Sequence, residues 1–213
     1  VPEPAANALG ERLDRGLALL GLNSDPAQRK RLLVFLGLLA RWNRAYNLTA
    51  VRDPWEMVPR HLLDSLAVAP YLGQGPVLDL GTGPGLPGLP LAVMVPEQAF
   101  VLLDSNGKKV RFVRQAVMEL GLTNVSVVHA RIESYQWDRK FATIVSRAMA
   151  TVPEILGAVA GLMARPARLL LMKGRRTDAE LKDLEPPPDA VEVHPLRVPL
   201  LEGERHLIQI RFD

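Results

Sequence analysis

An apolar tetrad, Val77-Leu78-Asp79-Leu80, runs straight into Gly81-Thr82-Gly83-Pro84-Gly85-Leu86-Pro87-Gly88, and this junction constrains the chain more than any other feature. The tetrad predicts a buried strand. The alternating glycines after it let backbone approach a ligand closely, because glycine carries no Cβ. A second apolar run over residues 100–103 ends in Asp104. A strand, a glycine turn, a helix and a second strand ending in an acid make the nucleotide-cofactor unit of a parallel sheet.

The alternation continues downstream. Segments 125–128, 141–145 and 168–172 read as strands, with helices over 89–95, 107–120 and 152–163 between elements. Continuous apolar strands separated by helices predict a parallel sheet covered on both faces. Segments 191–198 and 206–212 follow one another without a helix and predict an antiparallel terminal pair. Upstream, Leu9, Leu13, Leu17 and Leu20 mark one helix. Ser24-Asp25-Pro26 reads as a cap and first-turn proline for a second helix, through Leu32, Leu36, Leu39 and Trp42. Asp53-Pro54 opens a short third, and a fourth follows Pro59. No linker separates these helices from Val77. Residues 1–72 are therefore expected to be a helical extension packed on a core of residues 73–213, together one structural domain. A chain of 213 residues that is 48% hydrophobic can fill one such core.

Composition excludes several chemistries. With no cysteine, disulfides, Cys-ligated zinc and thiol nucleophiles drop out, and no metal site is expected. The first residues lack the basic start and apolar run of a secretory signal. No apolar stretch reaches the roughly 18 residues a membrane span needs, so no span and a cytoplasmic protein are expected. A monomer is expected because one sheet with its helices can bury its own core. The net charge of +3 only weakly favours an anionic partner. Arg29, Lys30, Arg31, Arg41, Arg44, Arg52 and Arg60 precede the glycine turn, whereas Lys173, Arg175, Arg176, Arg197, Arg205 and Arg211 come late. If both groups share a face, that face can hold phosphates; singly, each is ordinary solvated surface.

Two cofactor classes are compatible with the turn. Gly83-Pro84-Gly85-Leu86-Pro87-Gly88 satisfies the dinucleotide pattern, with Asp104 near the ribose-acid spacing. The same segment suits S-adenosylmethionine (SAM), which carries no pyrophosphate. Gly81, Gly83 and Gly85 allow close backbone approach, Asp79 can accept from an ammonium group, and Asp104 can accept from ribose hydroxyls. Pro84 and Pro87 remove two N–H donors, which is awkward for cradling phosphate. The terminal strand pair also suits a methyltransferase-like sheet, so SAM is the favoured reading and an NAD-dependent oxidoreductase the alternative.

The acceptor side points to RNA. After the fourth strand comes Ser146-Arg147-Ala148, not an Asn/Asp-Pro-Pro-aromatic segment suited to an exocyclic amine. A ring nitrogen with a free lone pair, such as guanine N7, needs positioning but no general base. Arg147 can then hold guanine O6 or a phosphate, leaving N7 free as the nucleophile. Arg131 is a second anion or base contact, with Glu133 as its support or as its partner in a surface ion pair. Lys173-Gly174 can place an amine near substrate phosphates. His61, Asp64 and Ser65 share a helix face, as acid/base machinery or, preferably, as a structural, site-shaping group. Trp42, Asn43, Tyr46 and Asn47 fit either stacking on an unpaired base or core packing.

The order of motifs carries a resemblance. Asn43-Arg44-Ala45-Tyr46-Asn47-Leu48-Thr49, Arg60-His61-Leu62-Leu63-Asp64-Ser65-Leu66, the glycine turn, Leu103-Asp104-Ser105, Ser146-Arg147-Ala148, Lys173-Gly174 and Gly203-Glu204-Arg205-His206-Leu207 follow one another. From about residue 10 to residue 212 the chain closely resembles the bacterial small-subunit ribosomal RNA methyltransferase family RsmG, also called GidB (glucose-inhibited division protein B). The resemblance implies a class I SAM-dependent, Rossmann-like fold. It also implies N7 methylation of one guanosine in the conserved loop of 16S rRNA near the decoding site, within a 30S or pre-30S particle. It implies cofactor contacts from Asp79, Gly81, Thr82, Gly83, Gly85, Leu86, Asp104 and Ser105, with Ala130, Arg131, Glu133 and Arg147 completing that side. It further implies basic substrate-side residues at Arg131, Arg147 and Arg205, and places Asn43 and His61 near the site opening. Asn106 and Ile132 depart from the family's usual residues without removing a reacting group. A SAM enzyme acting on another RNA remains the nearest alternative.

Overall fold

A computed structural model of the chain describes residues 3–137, 140–147, 150–174, 178–182 and 184–213. The N-terminal helices come first: α1 (Glu3–Leu19), α2 (Pro26–Tyr46), α3 (Pro54–Met57) and α4 (Asp64–Leu66). Asp25 caps α2 in a reciprocal box with Gln28, and Pro26 occupies its first turn, as the sequence predicts. The segment after Pro54 departs from expectation. Val58–Leu63 is a π-helix joining α3 to α4, with Pro59, which has no N–H to donate, inside it. Single π turns of this kind often occur at functional sites.

The sheet has seven strands: β1 (Val77–Leu80), β2 (Phe100–Asp104), β3 (Val125–His129), β4 (Phe141–Arg147), β5 (Met163–Lys173), β6 (Ala190–Pro195) and β7 (His206–Phe212). Their spatial order is β3-β2-β1-β4-β5-β7-β6. The first five run parallel, while β7 lies antiparallel to both β5 and β6. Between them lie α5 (Gly88–Met94), α6 (Gly107–Leu120) and α7 (Val152–Val159). This is the class I methyltransferase architecture expected from the sequence, with its antiparallel terminal pair.

Side-chain alternation splits the core into two layers. Val77, Leu102, Val145 and Leu170 face one cluster, shared with Leu13, Phe35, Leu62, Leu89 and Phe112 of the helices. Leu78, Leu103, Ile144 and Leu169 face the other, covered by Ile155 and Leu156 of α7. The N-terminal helices thus bury their apolar stripes in the same cluster as one face of the sheet. Several boundaries differ from the sequence reading, among them the end of β6, at Pro195 rather than 198. α7 ends at Val159 and continues as a 3-10 turn over Ala160–Leu162, close to the expected end at 163, whereas β5 begins at Met163 rather than 168. Pairing slips between Phe141 and Thr143 as the chain passes Pro166, which cannot donate to the ladder and masks the start of the strand. β4 runs on to Arg147, which fixes that residue at a strand end. Among the described residues no helix is long and apolar enough to cross a membrane.

Candidate active site

The glycine turn is built around Asp79. This side chain is fully buried, and its Oδ2 accepts from Thr82 Oγ1 at 2.6 Å and from the Gly88 amide at 2.7 Å. A Cβ at Gly88 would lie 2.6 Å from that oxygen, so the close approach requires glycine. Oδ1 is buried with no donor. Burial pushes the acid up to about 6, despite the bonds from Thr82 and Gly88. Asp104 holds the other side of the turn. Its Oδ2 accepts from Gly83 N at 2.8 Å and its Oδ1 from Asn106 N at 2.7 Å. Gly83 has φ of 59°, a left-handed conformation that aims its amide at that carboxylate.

A cavity of about 210 Å³ opens against this turn, lined by Leu80, Gly81, Leu103, Asp104, Ser105, Ala130, Arg131, Ile132 and Glu133. Its walls join apolar side chains to a carboxylate whose oxygens each keep a second lone pair. Asp79 braces the turn from behind and does not line this cavity. No ion pair joins Arg131 to Glu133 among the described residues.

A second cavity of about 400 Å³ lies at the carboxyl ends of β4 and β5, bounded by Val51, Arg60, His61, Asp64, Arg147, Lys173, Arg205 and His206, among others. Here the N-terminal helices meet the sheet through one hydrogen-bonded network. Asn43 Nδ2 donates to Val51 O at 3.0 Å, and its Oδ1 accepts from Thr49 N at 2.9 Å. Thr49 Oγ1 lies 2.9 Å from His61 Nε2, and His61 Nδ1 lies 3.0 Å from Arg60 O. The carbonyl can only accept, so Nδ1 carries the proton and Nε2 accepts from Thr49. Burial, reinforced by the Arg147 charge, lowers His61 to about 4, so it is neutral at pH 7. Arg147 Nη1 donates to Asp64 Oδ2 at 3.1 Å and to Arg60 O at 3.3 Å, and Arg205 Nε donates to Asp64 Oδ1 at 3.2 Å. Ser146 Oγ donates to Leu80 O at 2.9 Å, tying the end of β4 to the end of β1.

The structure thus brings Asn43, His61, Arg147 and Arg205 together, and places Arg131 at the neighbouring cavity. Lys173 lines the second cavity, but its Nζ donates to Ala150 O at 2.7 Å and to Glu180 at 3.1 Å. It is braced from within the protein, not held free for phosphate. His61 and Asp64 make no bond to each other. Trp42 packs on Tyr46 and Phe112 with tilted rings at the contact of α2 with α6. The two basic groups do not form a single face: Arg29 pairs with Asp14, Arg41 with Glu119 and Arg211 with Glu192, while Arg60 and Arg205 reach the second cavity. Ala148, Arg175 and Arg176 lie outside the described residues. Thr49 and the carbonyl of Arg60 escaped the sequence reading. Thr49 closes the Asn43 motif, and Pro59 inside a helical pattern was the available signal for the π turn.

Sheet order, glycine turn and paired cavities define a class I, SAM-dependent methyltransferase fold; a dinucleotide fold with order 3-2-1-4-5-6 has no antiparallel strand inserted before its last one. The residues present fit SAM: Asp104 lines the cavity and can accept from ribose hydroxyls, and the glycine turn allows close approach. A family model described as GidB, rRNA small subunit methyltransferase G, matches residues 28–208, and the chain belongs to that family. It is 54% identical over 199 residues to ribosomal RNA small subunit methyltransferase G of Methylococcus capsulatus, covering 93% of this chain and 97% of that protein. It is 48% identical to the protein of the same name from Marinobacter nauticus, covering 92% of each. Among solved structures, a SAM-dependent methyltransferase from Aquifex aeolicus superposes with a TM-score of 0.55 at 21% identity, covering 76% of this chain and 94% of that one. At that identity the likeness speaks for the fold.

Proposed function

We propose that this protein transfers a methyl group from SAM to N7 of one guanosine in the conserved loop of 16S rRNA near the decoding site. The observation that carries the choice of N7 is that His61 and Asp64, the acid/base candidates of the second cavity, are both committed to the fold, while His206, which also lines it, has its Nδ1 buried. His61 is neutral with both ring nitrogens engaged, and Asp64 is ion-paired to two arginines. An exocyclic amine must lose a proton in the reaction, whereas N7 has none to lose. Bound SAM supplies an electrophilic methyl group. Asp104 and the glycine turn hold its adenosine end, with Ala130 and Arg131 beside the adenine. Asp79 supports that turn from behind through Thr82 and Gly88.

Arg147 and Arg205 orient the acceptor. Each spends part of its guanidinium on Asp64 and keeps further N–H donors for guanine O6 or a flanking phosphate. The work is positioning and charge, not proton transfer. Family membership supports rRNA as the substrate, and the names of the curated relatives agree. We also place the protein in the cytoplasm as a monomer acting on a 30S or pre-30S particle, with the 1–72 extension forming one wall of the acceptor site.

Transfer of labelled methyl from SAM to 30S subunits, naked 16S rRNA and tRNA, followed by nuclease digestion, tests this reading. Label in 7-methylguanosine of 16S rRNA is the expected result. Label in another nucleoside or another RNA overturns it.

A further inference from the structure

A groove of about 510 Å³ runs beside the cofactor cavity, lined by Asn106, Gly107, Lys108, Val110, Arg111, Arg114 and His129. No carboxylate lines it among the described residues. Lys108, Arg111 and Arg114 recur at three-residue spacing on α6 and are exposed, as is His129 at the end of β3. Lys109 adds a fourth cation, and Arg131 a fifth at the rim of the adjoining cavity. None of the five side chains has an acidic partner among the described residues. Elsewhere four arginines of the N-terminal helices pair with acids: Arg29 with Asp14, Arg12 and Arg60 with Glu56, and Arg41 with Glu119.

The placement runs against local electrostatics. Lys108 and Lys109 sit in the first turn of α6, at the positive end of its dipole, where cations are unfavourable and no acid relieves them; Arg111 and Arg114 extend the same charge along the helix. The helix start needs no ligand of its own, because Asn106 Oδ1 already accepts from the amides of Lys108 and Lys109. The unbalanced element is therefore the side-chain charge. Local rules broken without a compensating contact are a mark of function. Cofactor cavity, acceptor cavity and groove all lie along the carboxyl edge of the parallel strands. At about 4.8 Å per strand, the groove at β3 lies roughly 19 Å from the end of β5. That is too far to touch the target base and suits flanking backbone.

We propose that Lys108, Arg111 and Arg114 form a second docking strip for the phosphodiester backbone of the RNA substrate, outside the acceptor site. This rests on RNA being the substrate. It commits to phosphate contact without base readout, because flexible exposed cations position a strand but do not read its sequence.

The test is the triple variant Lys108→Gln, Arg111→Gln and Arg114→Gln; glutamine keeps helix propensity while removing charge. Binding of full-length 16S rRNA is measured across a salt series, alongside SAM affinity and methyl transfer. Loss of three phosphate contacts lowers the log–log salt slope by about 2 to 3. KM for RNA is expected to rise at least tenfold, with kcat and SAM affinity unchanged. Arg211→Gln, on β7 at the far side of the sheet, should leave the slope as it is. A wild-type slope and KM in the triple variant overturn the proposal. So does an effect confined to 30S particles and missing on naked rRNA, which assigns the strip to an acidic protein surface. If the wild-type protein binds rRNA but methylates none, the proposed function fails while the salt slope still decides the docking strip.

Discussion

Asp64 and Arg205 stand 141 residues apart in the chain and meet at 3.2 Å, carboxylate Oδ1 against guanidinium Nε. The other oxygen of the same carboxylate takes Arg147. One buried acid from the N-terminal helices therefore fixes two cations from the end of β4 and the start of β7. Such a carboxylate gives up hydration and is stable only while its charged partners remain. In return it sets the angle between two guanidinium planes at the mouth of the acceptor cavity.

Replacing Asp64 with Asn keeps the shape and removes the charge. Arg147 and Arg205 then repel each other across a neutral amide. Stability is expected to fall by about 3 kcal/mol, the low end for breaking a buried pair because both arginines are partly exposed. Methyl transfer should fall at least tenfold, while SAM affinity by calorimetry stays within about twofold. Equal losses in SAM affinity and transfer would show that Asp64 supports the whole sheet edge and not the arginine pair.

Asp79 and His61 pull the pH dependence of stability in opposite directions. The folded protein holds Asp79 at about 6 against an ordinary 3.8. Its contribution is fully present below the lower value and is lost as pH rises through the upper one. His61 is held at about 4 against an ordinary 6.5. Its contribution is present above the upper value and is lost as pH falls through the lower one. Each shift corresponds to about 3 kcal/mol, so the two slopes largely offset between about pH 4 and 6.5. Asp79→Asn leaves His61 alone, and stability should climb with pH across that window. His61→Gln leaves Asp79 alone, and stability should fall. Urea denaturation of both variants at each end of the window checks this, and parallel curves for the two would reject it.

Cofactor and acceptor residues should separate cleanly. Asp104→Ala removes the acceptor from Gly83 N and from Asn106 N as well as the proposed ribose contact. SAM affinity is expected to drop by at least 30-fold, or about 2 kcal/mol. Arg147→Ala should leave SAM affinity nearly intact and lower transfer by a similar factor. Calorimetry and labelled transfer on the same preparations give both readouts. Unchanged SAM binding in Asp104→Ala would falsify its assignment, and full transfer by Arg147→Ala would remove that residue from the acceptor side.

The sheet was legible because its signals are local. Five apolar runs, a glycine turn and an acid at residue 104 need no tertiary context to read. Arg147 was legible as a candidate for the same reason, lying at the end of a readable strand. The acceptor site was less so, because its geometry is nonlocal. Nothing near residue 64 announces that its partners come from residues 147 and 205. Periodicity places His61 and Asp64 on one helical face, but the π turn through Pro59 sends them to different partners. The early start of β5 was hidden by Arg165, Pro166 and Arg168, a polar stretch that pairs only through a register slip. Lys173 was readable as a cation at a strand end, yet its tie to Glu180 depends on a connection whose path no local pattern dictates.

Thr49 offers the sharpest test of whether the N-terminal helices shape the acceptor site. Its hydroxyl accepts from Val51 N at 3.2 Å and donates to His61 Nε2, joining the loop that Asn43 holds to the π turn. Valine in its place leaves the buried imidazole nitrogen without a donor, expected to cost about 1 to 3 kcal/mol of stability. The ring then loses the contact that fixes its orientation, and Arg60 O, the second acceptor for Arg147, loses its anchor. Transfer is expected to fall about fivefold to tenfold with SAM affinity retained. Thr49→Ser keeps the hydroxyl and should restore most of the activity. If serine and valine behave alike, packing of the Thr49 methyl and not the hydrogen-bonded chain is what the acceptor site requires.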